Sequence, residues 1–146
     1  MKLSTRSRYG ARILLEIARH KNSESVQASE ISRHESIPVK YVEQLIRILK
    51  SARLISSVRG PKGGYFIARE PNKITLGEIV RLFEGHPELV ACISDPDVCK
   101  AAEECRIRLA WKQATDALYQ KLDSVTIADL MDQEAAYKGL CQKERR

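Results

Sequence analysis

The sequence predicts a mainly α-helical fold with one small β-hairpin, and three observations predict it. Residues 5–20 and 38–51 carry apolar side chains at helical spacing. A short helical stretch, residues 28–35, precedes the second of these, separated from it only by Ser36-Ile37-Pro38. Directly afterwards comes ISSVRGPKGGYFIA, residues 55–68, with two β-type runs around a glycine-rich turn. Helix, tight turn, helix and then hairpin is the outline of a winged helix-turn-helix. That order is far more specific than any one element.

Each element has its own signal. In TRSRYGARILLEIARH, Tyr9, Ile13 and Ile17 fall at i, i+4 and i+8, and Ala11, Leu14, Leu15 and Ala18 widen the stripe. Lys21 to Ser25 reads as a polar loop. Pro38 suits the first turn of the next helix, where its missing N–H is no loss; Tyr41, Leu45, Ile48 and Leu49 face inward. The predicted strands are Ile55 to Arg59 and Tyr65 to Ala68, around Gly60-Pro61-Lys62-Gly63-Gly64. Thr75 and Glu78 form a capping box for a helix that Gly85 closes. Residues 86–100, with Pro87 and Pro96, read as a loop. A long helix is predicted from 101 to 124, with Ile107, Trp111, Ala114, Leu118 and Leu122 close to an a/d seam. Thr126 and Asp129 start a short helix to about residue 136, and residues 137–146 form a mobile tail. The divisions are therefore 1–85, a winged DNA-binding unit; 86–105, a cysteine-bearing loop; 101–136, a long helix and a short one; and the tail.

Composition sets the class. At 146 residues, with 43% hydrophobic and 30% charged residues, the chain makes one ordinary domain, or one domain with an attached dimerisation element. No apolar run approaches the ~20 residues of a membrane span. Met1-Lys2-Leu3-Ser4-Thr5-Arg6 shows no signal-peptide h-region, so the expected compartment is the cytoplasm. The net charge of +6 favours a polyanionic partner, and its placement says more. Residues 1–12 carry Lys2, Arg6, Arg8 and Arg12 with no acid. Residues 40–62 carry Lys40, Arg47, Lys50, Arg53, Arg59 and Lys62 against Glu43 alone. Residues 84–105 instead collect Glu84, Glu88, Asp95, Asp97, Glu103 and Glu104. His20, His34 and His86 are scattered along the chain, with no nucleophile–base constellation, so an enzyme is not predicted.

A reader of double-stranded DNA needs polar side chains at the leading end of its second helix, a wing that can approach closely, and cations for flanking phosphates. Lys40, Tyr41, Glu43 and Gln44 occupy that leading end. Gln44 can bond an adenine edge, Lys40 and Tyr41 can bond phosphate, and Glu43 can accept from cytosine. Arg59, Gly60 and Lys62 form the wing tip, and Lys2, Arg6 and Arg8 supply the cations.

Four cysteines complete the set: Cys92, Cys99, Cys105 and Cys141. In a cytosolic chain they point to metal or redox chemistry rather than a disulfide framework. The first three have six and then five residues between them, and no CxxC pair favours structural zinc. Thiolates suit iron–sulfur clusters; a simple thiol switch is the alternative, and Cys141 reads as a free surface thiol.

MKLSTRSRYGARILLEIA, YVEQLIRILKSARLISSVRGPKGGY and ITLGEIVRLFEG resemble the IscR-like winged-helix iron–sulfur transcriptional regulators, whose relatives include NsrR, RirA and CymR. The resemblance spans about residues 1–135. It implies a bacterial homodimer that binds a palindromic promoter site and has a long C-terminal dimerisation helix. By position, Lys40, Tyr41, Glu43, Gln44, Arg59 and Gly60 would carry the DNA contacts. Cys92, Cys99 and Cys105 match the cluster-binding triplet, which CymR-like members lack. The chain departs from the pattern at the fourth ligand. Arg108 stands where IscR-like proteins place a histidine, and Arg8 where NsrR-like proteins use an acid of the partner subunit. The resemblance implies a three-cysteine [4Fe–4S] cluster with one open iron, as in RirA-like relatives, or a [2Fe–2S] cluster; His86 and the acidic loop residues remain candidate ligands. The alternative is a cluster-free repressor of cysteine or sulfur metabolism, regulated by its thiols or by a partner protein.

Overall fold

Ser4 starts the first helix, α1 (Thr5–Arg19), by accepting a hydrogen bond from the Ser7 amide. That satisfies one of the donors every helix leaves unpaired at its start. Ile13, Leu14 and Ile17 are fully buried along its inner face. In the computed structural model, residues 2–20, 24–85 and 87–133 are described. Expectations for His86, Cys141, the end of the last helix and the tail lie outside the described residues.

Helix α2 (Ala28–Glu35) stops at Ser36, whose left-handed backbone (φ 56°) turns the chain. Arg12 of α1 grips this corner, donating from Nε to the Glu35 carboxylate at 2.6 Å and from Nη2 to the Glu35 carbonyl at 2.8 Å. Ser32 Oγ donates to the Ile37 carbonyl at 2.6 Å, and the Ile37 side chain is buried. Helix α3 (Val39–Ser51) follows with Pro38 at its cap, one residue ahead of the position the sequence predicts. Proline's ring holds φ near the value the turn needs, and no amide is lost. Val42, Leu45, Ile46 and Leu49 point inward, whereas Tyr41 and Ile48, predicted inward, are half-buried. Leu45 and Leu49 are buried as predicted, while Val42 and Ile46 complete the buried stripe and Tyr41 and Ile48 flank it.

Arg53, at φ 58°, redirects the chain into β1 (Ile55–Val58), which pairs antiparallel with β2 (Gly64–Ile67) in the register Ile55↔Ile67 and Ser57↔Tyr65. The first strand ends one residue before its predicted end, so Arg59 belongs to the turn, and the second is shifted one residue toward it, gaining Gly64 and losing Ala68. After a short 3₁₀ turn (Pro71–Lys73), helix α4 (Leu76–Glu84) begins at Thr75, whose hydroxyl accepts from the Glu78 amide at 3.1 Å. The reciprocal half of the predicted box is absent, because the Glu78 carboxylate accepts from Arg69 Nη1 at 2.6 Å. A complete box forms instead at Thr126 and Asp129, which start α6 (Ile127–Asp132). Gly85, at φ 77°, closes α4 as expected.

The core lies where α1, α3, α4 and α6 meet under the hairpin. Ile13, Leu14, Leu45, Leu49, Leu54, Ile79 and Ile127 are all 1% exposed or less. Burying each such side chain contributes roughly 1.5–3 kcal/mol. Gly10 lets α1 approach α4, since a Cβ there would collide with the Phe83 ring.

The second half differs from the predicted long helix. Residues 91–93 and 96–98 form 3₁₀ turns, and α5 spans Arg106–Asp123 rather than starting at residue 101. Cys105 sets the start: its backbone is extended, and its Sγ accepts from the Arg108 amide at 3.4 Å. Of the expected seam, Leu118 and Leu122 are half-buried, while Ile107 and Trp111 are 64% and 45% exposed and Ala114 is exposed too. Among the described residues no helix is long and apolar enough to cross a membrane.

Candidate nucleic-acid interface and cysteine loop

Lys40, Glu43 and Gln44 project from the first turns of α3 and are exposed. Tyr41 is half-buried because its ring meets Tyr9 of α1 edge-on, with centroids 6.0 Å apart. The Arg12 guanidinium lies 5.5 Å from the Tyr9 ring centre, so α1, the α2–α3 corner and the start of α3 form one packed unit. A tyrosine in this setting gives up freedom as a contact and gains definition of position.

The wing is anchored from behind. Val26, between α1 and α2, exchanges backbone hydrogen bonds with Tyr65 at 2.9 and 2.8 Å. Ser25 Oγ donates to the Lys62 carbonyl at 2.8 Å. Gly64 permits this pairing, since a Cβ there would lie 2.6 Å from the Val26 carbonyl oxygen. At the tip, the Gly63 amide donates to the Gly60 carbonyl at 2.9 Å, and Gly60 takes φ 120°. Arg59, Gly60 and Lys62 are all exposed there. Lys50 Nζ donates to Ser57 Oγ at 2.6 Å, tying α3 to the hairpin. The Ser25–Val26 anchor carries no signal in the sequence beyond a polar loop.

Lys2, Arg6 and Arg8 are exposed around the start of α1. Glu84, at the far end of α4, accepts from the Ser4 amide at 2.8 Å and from the Ser7 hydroxyl. Those hydrogen bonds from Ser4 and Ser7 hold its carboxyl below the ordinary glutamate value, against the opposing effect of burial. Glu16, unlike the half-buried Glu84, is buried, and it gathers His20, His34 and Arg19 around its carboxylate. His34 Nδ1 lies 2.8 Å and His20 Nε2 3.6 Å from Glu16 Oε1, and Arg19 Nη1 lies 3.1 Å from Oε2. Burial pushes the Glu16 carboxyl up, but hydrogen bonds from His34 and Arg19 together outweigh it and hold it low.

Cys92 sits half-buried in the 3₁₀ turn at 91–93, Cys99 is exposed just after the one at 96–98, and Cys105 caps α5; all three are free thiols. Arg108 holds this arrangement, donating from Nε to the Cys92 carbonyl at 2.6 Å and from Nη2 to the Ile93 carbonyl at 3.2 Å. The Cys92 turn is thereby fastened to the first turn of α5. Beside it a cavity of about 510 Å³ is lined by Ile93, Ala102, Cys105, Arg108, Leu109 and Lys112. Among the described residues no three His, Cys, Asp or Glu side chains come together closely enough to hold a metal ion. The predicted cysteine triplet is thus collected on one loop but not gathered to a point.

Helix α4 connects the two regions. Arg81 makes a two-pronged ion pair with Asp123 of α5, at 2.7 and 2.6 Å, and lies 4.6 Å from the centre of the Tyr119 ring. The same pair lowers the Asp123 carboxyl and raises Arg81. Tyr119 donates to the Pro87 carbonyl at 3.2 Å, and the Leu89 amide donates to Thr115 Oγ1 at 3.4 Å.

The family model described as iron-dependent transcriptional regulator, Rrf2, matches residues 3–133. The chain belongs to the Rrf2 family. It is 40% identical over 142 residues to protein rrf2 of Nitratidesulfovibrio vulgaris, covering 97% of this chain and 95% of that protein. The solved structure of CymR, the global cysteine regulator of B. subtilis, is similar at TM-score 0.76 and 34% identity, covering 90% of this chain and 97% of that one. IscR of T. potens matches at TM-score 0.71 and 33% identity, over 93% and 90% of the two chains. The chain is a transcriptional regulator of the DNA-binding winged-helix type and not an enzyme.

Proposed function

We propose that this regulator binds a palindromic site in double-stranded DNA as a homodimer and that its three clustered cysteines govern that binding. Lys40, Tyr41, Glu43 and Gln44 read the major groove from the start of α3. Arg59, Gly60 and Lys62 meet the backbone or minor groove, and Lys2, Arg6 and Arg8 meet flanking phosphates. The exposed apolar residues Ile107, Trp111 and Ala114 of α5 support a helix-to-helix dimer. Affinity is expected to fall steeply with salt, and Arg59→Ala to weaken binding while the dimer stays folded. Binding that ignores salt, or none at any palindromic promoter site, would overturn this.

The cysteine loop is the control element in this reading, and the observation that carries it is the Arg108 clasp between the Cys92 turn and the start of α5. Any change at the thiols reaches the helix assigned to dimerisation within one turn. The donor set suits an iron–sulfur cluster in its chemistry: three soft thiols on one loop, with the place of a fourth ligand open. Cys92, Cys99 and Cys105 would hold the group, which would supply sensitivity to iron, oxygen or nitric oxide. Arg108 orients the loop through its bonds to the Cys92 and Ile93 carbonyls. Protein purified without oxygen is expected to be brown, absorbing at about 320–460 nm, with matching iron and sulfide. A colourless preparation lacking both would sink the cluster.

A second reading, control by the thiols themselves or by a partner protein in cysteine or sulfur metabolism, is favoured by the spread of the three thiols. Iron content separates the two.

A further inference from the structure

The N-terminal end of α1 lacks something it needs. Helix starts leave amide donors unpaired and favour an acceptor beside them, yet the first turn of α1 contains no acid. Glu84 supplies one from the last residue of α4, and its Oε1 accepts from both the Ser4 amide and the Ser7 hydroxyl. Ser7 is 2% exposed, and Ser4 and Glu84 are half-buried. Around it stand the exposed cations Lys2, Arg6 and Arg8.

The other end of the connection is equally defined. Arg81, three residues before Glu84 on α4, holds Asp123 of α5 in a two-pronged ion pair. Glu84 is followed directly by Gly85 and the segment leading to Cys92. A single helix of nine residues therefore touches both the start of α1 and the helix that Cys105 caps.

We propose that Glu84 is a positioning residue for DNA binding, fixing the start of α1, and so Lys2, Arg6 and Arg8, from the helix that also meets α5. This rests on the reading that those three cations meet phosphates. It makes a counter-intuitive prediction. Removing an acid from a DNA-facing surface ordinarily strengthens binding, because one repulsive charge is gone. Here truncation is expected to weaken it.

The test measures the affinity of the full-length protein for its promoter duplex by fluorescence anisotropy across a salt series. Glu84→Ala is expected to bind about tenfold or more weakly, with a salt dependence shallower by about one to three units of log–log slope, at about 0.9 for each phosphate no longer neutralised. Glu84→Gln, whose amide oxygen can accept from the same Ser4 and Ser7 donors, is expected to stay near the parent. Equal affinity and slope for Glu84→Ala, or tighter binding by both variants, would overturn the proposal. Should Glu84→Ala fail to fold, Ser7→Ala removes one donor at little steric cost and is expected to weaken binding in the same direction; unchanged affinity there overturns it too. Arg6→Ala separates the two levels of inference. If it leaves the slope unchanged, the phosphate assignment of α1 has failed; if it lowers the slope and Glu84→Ala does not, only the role of Glu84 has.

Discussion

The first 85 residues and the segment from Pro87 to Asp123 are built by different means. In the first, a continuous core runs from Ile13 to Phe83, and the polar side chains at α3 and the wing are held by packing and hydrogen bonds behind them. In the second, Ala102 and Thr115 are the buried side chains among the described residues, and large apolar residues face outward. There, order comes from individual hydrogen bonds: Arg108 to the Cys92 and Ile93 carbonyls, Tyr119 to Pro87, Leu89 to Thr115. A core resists change in any one part, whereas a loop held by a few directed bonds can be released by breaking one. The contrast matches a rigid reader joined to a responsive segment.

Truncating one leucine in each region tests that contrast with the largest effect. Leu14→Ala, at a fully buried site, is expected to lose about 2–5 kcal/mol in a denaturant titration. Leu109→Ala, which is 60% exposed, should stay within about 0.5 kcal/mol. Equal losses would mean that the second region has a core of its own. Next in size, Trp111→Ala should leave the fold intact but weaken self-association by about 2 kcal/mol or more, as read by sedimentation. A variant that stays dimeric at the same concentrations would remove α5 from the interface.

Glu16→Gln probes the buried charge in the reader and should cost about 1–2 kcal/mol, because His34 and Arg19 lose an ionised partner. Acid tests the same group. The carboxyls of Glu16, Glu84 and Asp123 lie below their ordinary values in the folded chain. The unfolded chain therefore takes up protons first as pH falls. The stability these groups add is present above the ordinary carboxylate range and drains away as pH drops through the lowered values. Glu16→Gln should flatten that dependence; a midpoint equally sensitive to acid in both proteins would discount the cluster. Smallest is Arg81→Ala at the junction of the regions. With the two side chains 30% and 42% exposed, it should cost no more than about 1 kcal/mol of stability, with a melting curve as the check.

What the sequence disclosed follows from what sequence records. Helical periodicity, the glycine-rich turn and the proline before α3 are local, and they locate the reader's elements to within a residue or two. Pairings between distant residues leave no such trace. Glu84 meets Ser4 across 80 positions, and nothing near either residue announces it. Glu16 sits among buried neighbours on the apolar stripe, and its exception is explained only by His34, 18 residues away. The start of α5 escapes the sequence because a cysteine is a weak cap signal, and apolar spacing alone extends a helix until something stops it. The cysteines are legible as a triplet, while Arg108 is legible only as a missing histidine; its bonds to two carbonyls emerge from the fold.

Trp111 has a practical consequence. It is the chain's single tryptophan, and it stands 45% exposed one turn beyond the residues that fasten the cysteine loop. Indole emission shifts to shorter wavelength when water is withdrawn from the ring, so the unlabelled protein carries its own optical gauge of this helix. Diluting the sample, oxidising the thiols or adding duplex can each be followed in one cuvette. Because no second tryptophan contributes, any change in colour belongs to this one position.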